Sequence, residues 1–269
     1  MFMTILSVLA ILLYLSGTAT VAYLLFKRQI VGVPMRLPLI ALMLLALILH
    51  AQFLYQQLVT VQGLQLDIIN MFSLVTALMV AMLLLAVIRK RVENLSIAIL
   101  PLAALSLILQ LVVRVPQTQV TQIEIELELH ILLSVVAFSL LSIGAVQAML
   151  LAIQERHLRN HQPSSFIRAL PPLESMESLL FQILWIGFAV LTLALFNGLL
   201  YLDDMFAQHL VHKTILSLLA WLVFATLLWG RWRYGWRGRT AIRWTLTGII
   251  TLLLAYFGSK VVLELILQR

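Results

Sequence analysis

Six histidines, His50, His130, His157, His161, His209 and His212, are the side chains of this 269-residue chain best suited to hold a transition metal or move a proton near neutral pH. There is no cysteine, which excludes disulfides, thiolate metal sites and CxxC redox chemistry carried by the chain itself. A histidine is the common proximal ligand of a porphyrin iron, and a pair from different helices suits a helical bundle. Zinc binding or ordinary hydrogen bonding accounts for scattered histidines equally well. His209 and His212 stand at i and i+3, so they share a face if a helix already includes them. His157 and His161 lie among arginines and read as solvated loop residues.

A second set is acidic. Glu124, Glu126 and Glu128, with Asp203 and Asp204, supply hard oxygen donors that suit a divalent cation. Pairing with Arg114 and Lys213, or simple loop solvation, explains the same charges. A third set is basic. The stretch LLWGRWRYGWRGRTAIRW, Leu227 to Trp244, holds Arg231, Arg233, Arg237, Arg239 and Arg243 among four tryptophans. No nucleophile–base pair, phosphate loop or metalloprotease helix accompanies them, so a catalytic activity is not expected.

The elements that must carry these residues are set by hydrophobicity. The chain is 62% hydrophobic and only 11% charged, where soluble domains carry about a quarter charged residues. Its mean hydropathy is +1.05. Eight apolar segments, at about 3–26, 37–58, 68–88, 95–113, 129–153, 176–201, 211–229 and 241–265, are each long enough to cross a hydrocarbon core about 30 Å thick. Each must be helical, because lipid offers no partner to backbone polar groups. The expected fold is therefore an all-α, eight-helix membrane bundle, treated as one domain over 1–269. The first apolar run, MFMTILSVLAILLYL, has no basic stretch ahead of it and no A-x-A-like cleavage site, so a retained first span is expected.

Charge fixes the expected orientation. Fourteen of the eighteen Lys and Arg residues fall in the first, third, fifth and seventh loops. The positive-inside rule puts those loops in the cytoplasm and both termini on the periplasmic side. The net charge of +7 serves topology; its residues are scattered over short loops and form no continuous face for nucleic acid. Trp229, Trp232, Trp236 and Trp244 fit an aromatic belt at the headgroup level, and Gly230, Gly235 and Gly238 let the seventh loop turn. The run VTQIEIELELH, Val120 to His130, alternates apolar and polar and suggests a short extended or interfacial segment. Ser142, Gly144, Ala145 and Ala148 mark close helix packing.

On this topology His130, His209 and His212 gather toward the outer face. His50 enters from the cytoplasmic side near Leu37 and lies roughly 20 Å in, at 1.5 Å per residue. A polar side chain at that depth faces the bundle interior and has a partner. Either a neutral imidazole bonded to a neighbouring helix or an axial heme ligand satisfies that requirement.

Longer stretches carry a resemblance. PPLESMESLLFQILWIGFAVLTLALFNG, HKTILSLLAWLVFATLLWGRWRYGWRGR and LLLAYFGSK, with NMFSL at Asn70 and HILLSVVAFSLLSIGAVQAMLLAIQE from His130, resemble the cytochrome c assembly family of CcsA/HemX-like membrane proteins, in its small eight-helix branch. The resemblance covers nearly the whole chain, and GWRGR is its most specific piece. It implies a heme-handling protein of the bacterial inner membrane, engaged in cytochrome maturation or in control of heme synthesis. It implies a heme-ligand role for His130, which matches the external histidine opening a span. Lys213 falls where the family's tryptophan-rich loop ends in Pro-Lys-Glu. Here the chain reads YLDDMFAQHLVHKT, with His212 for the proline and Thr214 for the glutamate. Trp229 stands at the family's intramembrane histidine, and no external histidine occurs near Leu267. These departures, with the lack of cysteine, point away from covalent heme attachment and toward binding, delivery or regulation. Candidate heme residues are His50, His130, His209 and His212. The rival readings are an accessory to Mg or Co transport using the acidic loops, and a scaffold whose seventh loop engages a cytoplasmic tetrapyrrole-synthesis enzyme.

Overall fold

A chain this apolar can satisfy its backbone polar groups in lipid by winding into helices, and most of the described residues do so. The computed structural model describes residues 2–27, 33–60, 63–113, 119–120, 125–160, 165–201 and 211–258. Its helices are α1 (Phe2–Phe26), α2 (Val33–Leu58), α3 (Ile68–Arg89), α4 (Ser96–Val112, entered through a 3₁₀ turn at Glu93–Leu95), α5 (Ile125–Arg159), α6 (Ser165–Ala169), α7 (Leu173–Tyr201), α8 (Val211–Tyr234) and α9 (Gly238–Leu253), the last continuing as a π-helical turn, Leu254–Gly258. Eight of these, all but the short α6, are long and apolar enough to cross a membrane. The architecture is an all-α, multi-pass membrane bundle.

Two expectations need correction. Among the described residues of the Val120–His130 alternation, only Val120 is extended. Gln119 and Val120 form a short strand, β3, whereas the chain from Ile125 onward is already helical. Glutamates in a first helical turn interact favourably with the helix dipole, and that term outweighs the period-two pattern. The fifth and seventh spans also run further than apolarity alone implies, to Arg159 and Tyr234. Arginine is a good helix former whose long stem lies along apolar surface while its head reaches water, so charge does not end these helices.

The spans divide between two compact units, residues 1–121 with 156–171, and residues 122–155 with 172–269. In the first, α1 and α3 each pack against both α2 and α4, and α6 packs on α1. Gly17 of α1 brings the backbone so near that a Cβ there would sit 3.0 Å from Leu42 and Leu100. At one end Arg36 donates to the carbonyls of Val87 and Lys90 and pairs with Glu93 at 2.9 Å, tying the start of α2 to the end of α3. At the other end the strands β1 (Val59–Thr60), β2 (Gly63–Gln65) and β3 (Gln119–Val120) form a small antiparallel sheet, with Leu64 opposite both Val59 and Val120. The connections after α2 and α4 thus lie together, as alternating spans require.

In the second unit α8 packs against α7 and α9. Helices α5 and α7 meet at their glycines: a Cβ on Gly144 would be 3.1 Å from Leu184, and one on Gly187 would be 2.8 Å from Leu141. Phe138 of α5 stacks on Tyr256 with ring centroids 5.2 Å apart. Ala145 and Ala148 are buried beside Gly144, so the small-residue stripe is a packing face.

Candidate functional site

His130 sits in the second turn of α5, half-buried. Its Nδ1 lies 3.0 Å from the carbonyl oxygen of Ala194 on α7. A carbonyl only accepts, so Nδ1 carries the proton and Nε2 keeps its lone pair. The only described partner of Nε2 is the hydroxyl of Ser134, one turn along, at 3.4 Å. That is the long limit of a hydrogen bond. Helix geometry explains why the Ala194 carbonyl is reachable. It points toward residue 198, which is glycine, and Gly198 is buried without a side chain to cover it. Metal-ligating histidines characteristically donate their second ring N–H to a carbonyl or carboxylate, which fixes tautomer and ring plane. His130 is set up in that way.

His50 is placed differently. It is fully buried in α2, and both ring nitrogens are engaged: Nδ1 is 3.2 Å from the Tyr14 hydroxyl and Nε2 is 2.8 Å from Ser73 Oγ. The chain continues with one polarity. Ser73 donates to Gln110 Oε1 at 2.8 Å, Gln110 Nε2 donates to Asn70 Oδ1 at 2.8 Å, and Asn70 Nδ2 donates to Asp67 Oδ2 at 2.6 Å. Because Ser73 spends its proton on Gln110, it accepts from His50 Nε2–H, and His50 Nδ1 accepts from Tyr14. Asp67 closes the chain and also caps α3, accepting from the backbone N–H of Ile69 and Asn70. All four spanning helices of this unit contribute. Two amides interrupt the series, and an amide does not relay protons as an imidazole or hydroxyl does, so the chain is a set of fixed dipoles and no proton wire. Iron ligation by His50 would require giving up one of its two bonds.

The remaining candidates fall as follows. His209, Glu124, Asp203 and Asp204 lie outside the described residues. His212 is in the first turn of α8 and Glu126 in that of α5, and Glu128 of α5 is exposed. Among the described residues no three His, Cys, Asp or Glu side chains form a group able to hold a metal ion.

Three of the five arginines of the seventh loop, Arg231, Arg237 and Arg239, pair with acids on neighbouring helices, while Arg233 and Arg243 are exposed. Arg231 and Arg237 both reach Glu177 Oε1 of α7, at 2.8 and 3.1 Å, and Arg239 reaches Glu155 of α5 at 3.0 Å. Arg231 also donates to the Trp236 carbonyl and lies over the Phe181 ring at 4.5 Å. Gly235 and Gly238 take positive φ, 67° and 50°, as the tight hairpin demands. Gly230 does something else: it is helical, and a Cβ there would overlap the Trp236 ring. Trp236 in turn stacks on Trp244, with centroids 5.6 Å apart. Trp229 and Trp232 point outward, 53% and 78% exposed, so only these two take the aromatic-belt position, while Trp236 and Trp244 are packed within the hairpin. The GWRGR turn is therefore a clasp that holds α8 and α9 to α7 and α5.

Comparison with known proteins shows the family. The family model described as cytochrome C assembly protein matches residues 37–267, from the second span through the last. The chain belongs to the cytochrome c assembly family. It is similar to the inner membrane protein YpjD of Escherichia coli, 36% identical over 208 residues, covering 76% of this chain and 77% of that protein. It is also similar to an Azospirillum brasilense protein, 36% identical over 143 residues, covering 52% of this chain and 53% of the relative. The cytochrome c biogenesis protein CcsA of Chlamydomonas reinhardtii is 24% identical over 140 residues, 51% of this chain and 38% of that one. No solved structure matches. With eight spans and this membership, the chain is a multi-pass inner-membrane protein of the cytochrome c assembly family.

Sequence reasoning missed the partners that fix each histidine. Ser73, Asn70 and Gln110 are polar residues inside apolar spans, and that rarity was a readable signal that His50 had company. The Ala194 carbonyl leaves no trace in residue type except Gly198 beside it. Glu155 and Glu177 flank the fifth loop, which the charge pattern puts on the same side as the seventh, but which arginine each meets was not readable from the sequence.

Proposed function

We propose that this protein binds heme on the outer face of the bacterial inner membrane, with His130 Nε2 as an axial ligand, and serves in heme binding, delivery or regulation and not in covalent attachment. The observation that supports it is the Nδ1–H bond from His130 to the Ala194 carbonyl, which leaves Nε2 as an oriented lone pair. When bound, heme supplies an iron whose axial position an imidazole nitrogen fills. Ala194 holds the ring plane, and Gly198 leaves room for it. Ser134 can swing its hydroxyl to its own helix, accepting the exchange of a weak bond to Nε2 for one to the carbonyl four residues back. His209 and His212 follow α7 in sequence and are the candidates for a second ligand, while His50 is assigned to the core of its own unit. The partners of such a protein are heme and other proteins of cytochrome biogenesis or tetrapyrrole synthesis.

The orientation belongs to the same reading. Odd loops carry the basic excess and face the cytoplasm, so both termini and His130 are periplasmic. Protein purified in detergent is expected to show a Soret band, or to gain one with added hemin, and His130→Ala is expected to weaken it strongly. A colourless protein that takes up no hemin would remove the proposal.

A further inference from the structure

One turn beyond Ala194 on α7 stands Asn197, only 8% exposed, with its Oδ1 buried and without a hydrogen-bond partner. Residues at i and i+3 share a helix face, with Cβ atoms about 5–6 Å apart, so Asn197 flanks the carbonyl that holds His130. The neighbouring polar side chain on α7 shows what satisfaction looks like here: Thr192 donates to the Phe188 carbonyl and accepts from Trp221 Nε1 at 2.9 Å. An amide end left unpaired in an apolar surrounding costs several kcal/mol, and lipid cannot supply a partner. Turning the amide by 180° exchanges Oδ1 and Nδ2 in the same place, so the buried end can present a donor.

We propose that Asn197 is the second anchor of the His130 site, its side-chain amide N–H donating to a carboxylate of the tetrapyrrole whose iron faces His130 Nε2. This rests on the heme reading above and adds to it a recognition element for the ligand's edge. The FNG sequence at residues 196–198 then has two jobs in adjacent residues: Gly198 opens the carbonyl for His130, and Asn197 reads the acid. Asn197 is a binding residue and carries no chemistry.

The test compares hemin with hemin dimethyl ester, which keeps the iron and lacks free carboxylates. Both are titrated into full-length protein in detergent and read at the Soret band. Asn197→Leu, close in size and without the amide, is expected to weaken hemin binding about tenfold, the scale of a hydrogen bond to a charged group, and to leave the ester unchanged. Asn197→Val, smaller and again without the amide, is expected to weaken hemin binding by a similar factor, again sparing the ester. Equal affinities for hemin in wild type and both variants, or an equal loss for hemin and ester, would overturn the assignment. His130→Ala separates the two layers: it must lower binding of both ligands. If it leaves both untouched, the heme site itself is elsewhere and the role of Asn197 falls with it.

Discussion

His130 and His50 carry the same ring and differ in what their second nitrogen does. At His130 the Ala194 carbonyl takes one N–H, and Ser134 holds the other nitrogen only at 3.4 Å. Removing that weak competitor with Ser134→Ala is expected to leave heme affinity unchanged or to raise it a few-fold, measured by hemin titration. A large loss would mean that Ser134 itself contacts the ligand. At His50 both nitrogens are spent inside the first unit. His50→Ala would leave the Tyr14 hydroxyl without its partner, take from Ser73 the N–H it accepts and open a cavity, at a cost of about 2–5 kcal/mol. The variant is expected to unfold at a lower temperature in detergent yet to keep its Soret band. Loss of the band from a folded His50→Ala protein would return His50 to the ligand set. The sequence carried both histidines equally well because depth and residue type were all it offered; the tautomer at each is decided by a partner tens of residues away.

The α8–α9 hairpin is the element in which sequence and structure inform each other most. Counting charge explained five arginines in the seventh loop as a topological signal, and that explanation does not compete with the ion pairs. Arginines placed on one side for orientation are then available to grip Glu177 and Glu155. Glu177→Gln leaves Arg231 and Arg237 without their shared carboxylate and is expected to cost roughly 1–3 kcal/mol, partly screened because Arg237 is exposed. Gly230→Ala, which pushes against the Trp236 ring, is expected to cost about 1–3 kcal/mol by the same route of loosening the hairpin. Thermal unfolding monitored by tryptophan fluorescence reports both, because the Trp236–Trp244 stack lies in the clasp. A variant of either kind with unchanged midpoint and emission would show that the clasp adds little. The same contacts limit what the loop can offer a cytoplasmic partner: Arg237 and Arg239 hold the fold, so altering them disturbs structure as well as surface. Apolarity stops at Trp229, while the helix continues to Tyr234 on the strength of arginine stems.

For the molecule as a whole, eight spans were legible because hydrophobic length is a one-dimensional property. Their division into two units was not, since it depends on which faces pack, and small residues such as Gly17 and Gly187 mark a close approach without naming its partner. The Arg36 contacts to Val87 and Lys90, and the β1–β2–β3 sheet, show that alternate connections of the first unit lie at opposite ends, as the charge pattern requires. The absence of native cysteine makes the absolute orientation simple to test. Single cysteines at Gln65 and at Arg233 in intact cells are expected to react differently with a membrane-impermeant maleimide. Gln65→Cys should label from the periplasm, and Arg233→Cys should label only after the membrane is opened. The reverse pattern would invert the bundle and place His130 on the cytoplasmic side.

Ligation by His130 is tested by a hemin titration of purified protein beside its His130→Gly variant, with and without free imidazole. A Soret band is expected for the native protein, a much weaker one for the variant, and recovery when imidazole fills the vacated space. An undiminished band in the folded variant without imidazole would contradict that ligation.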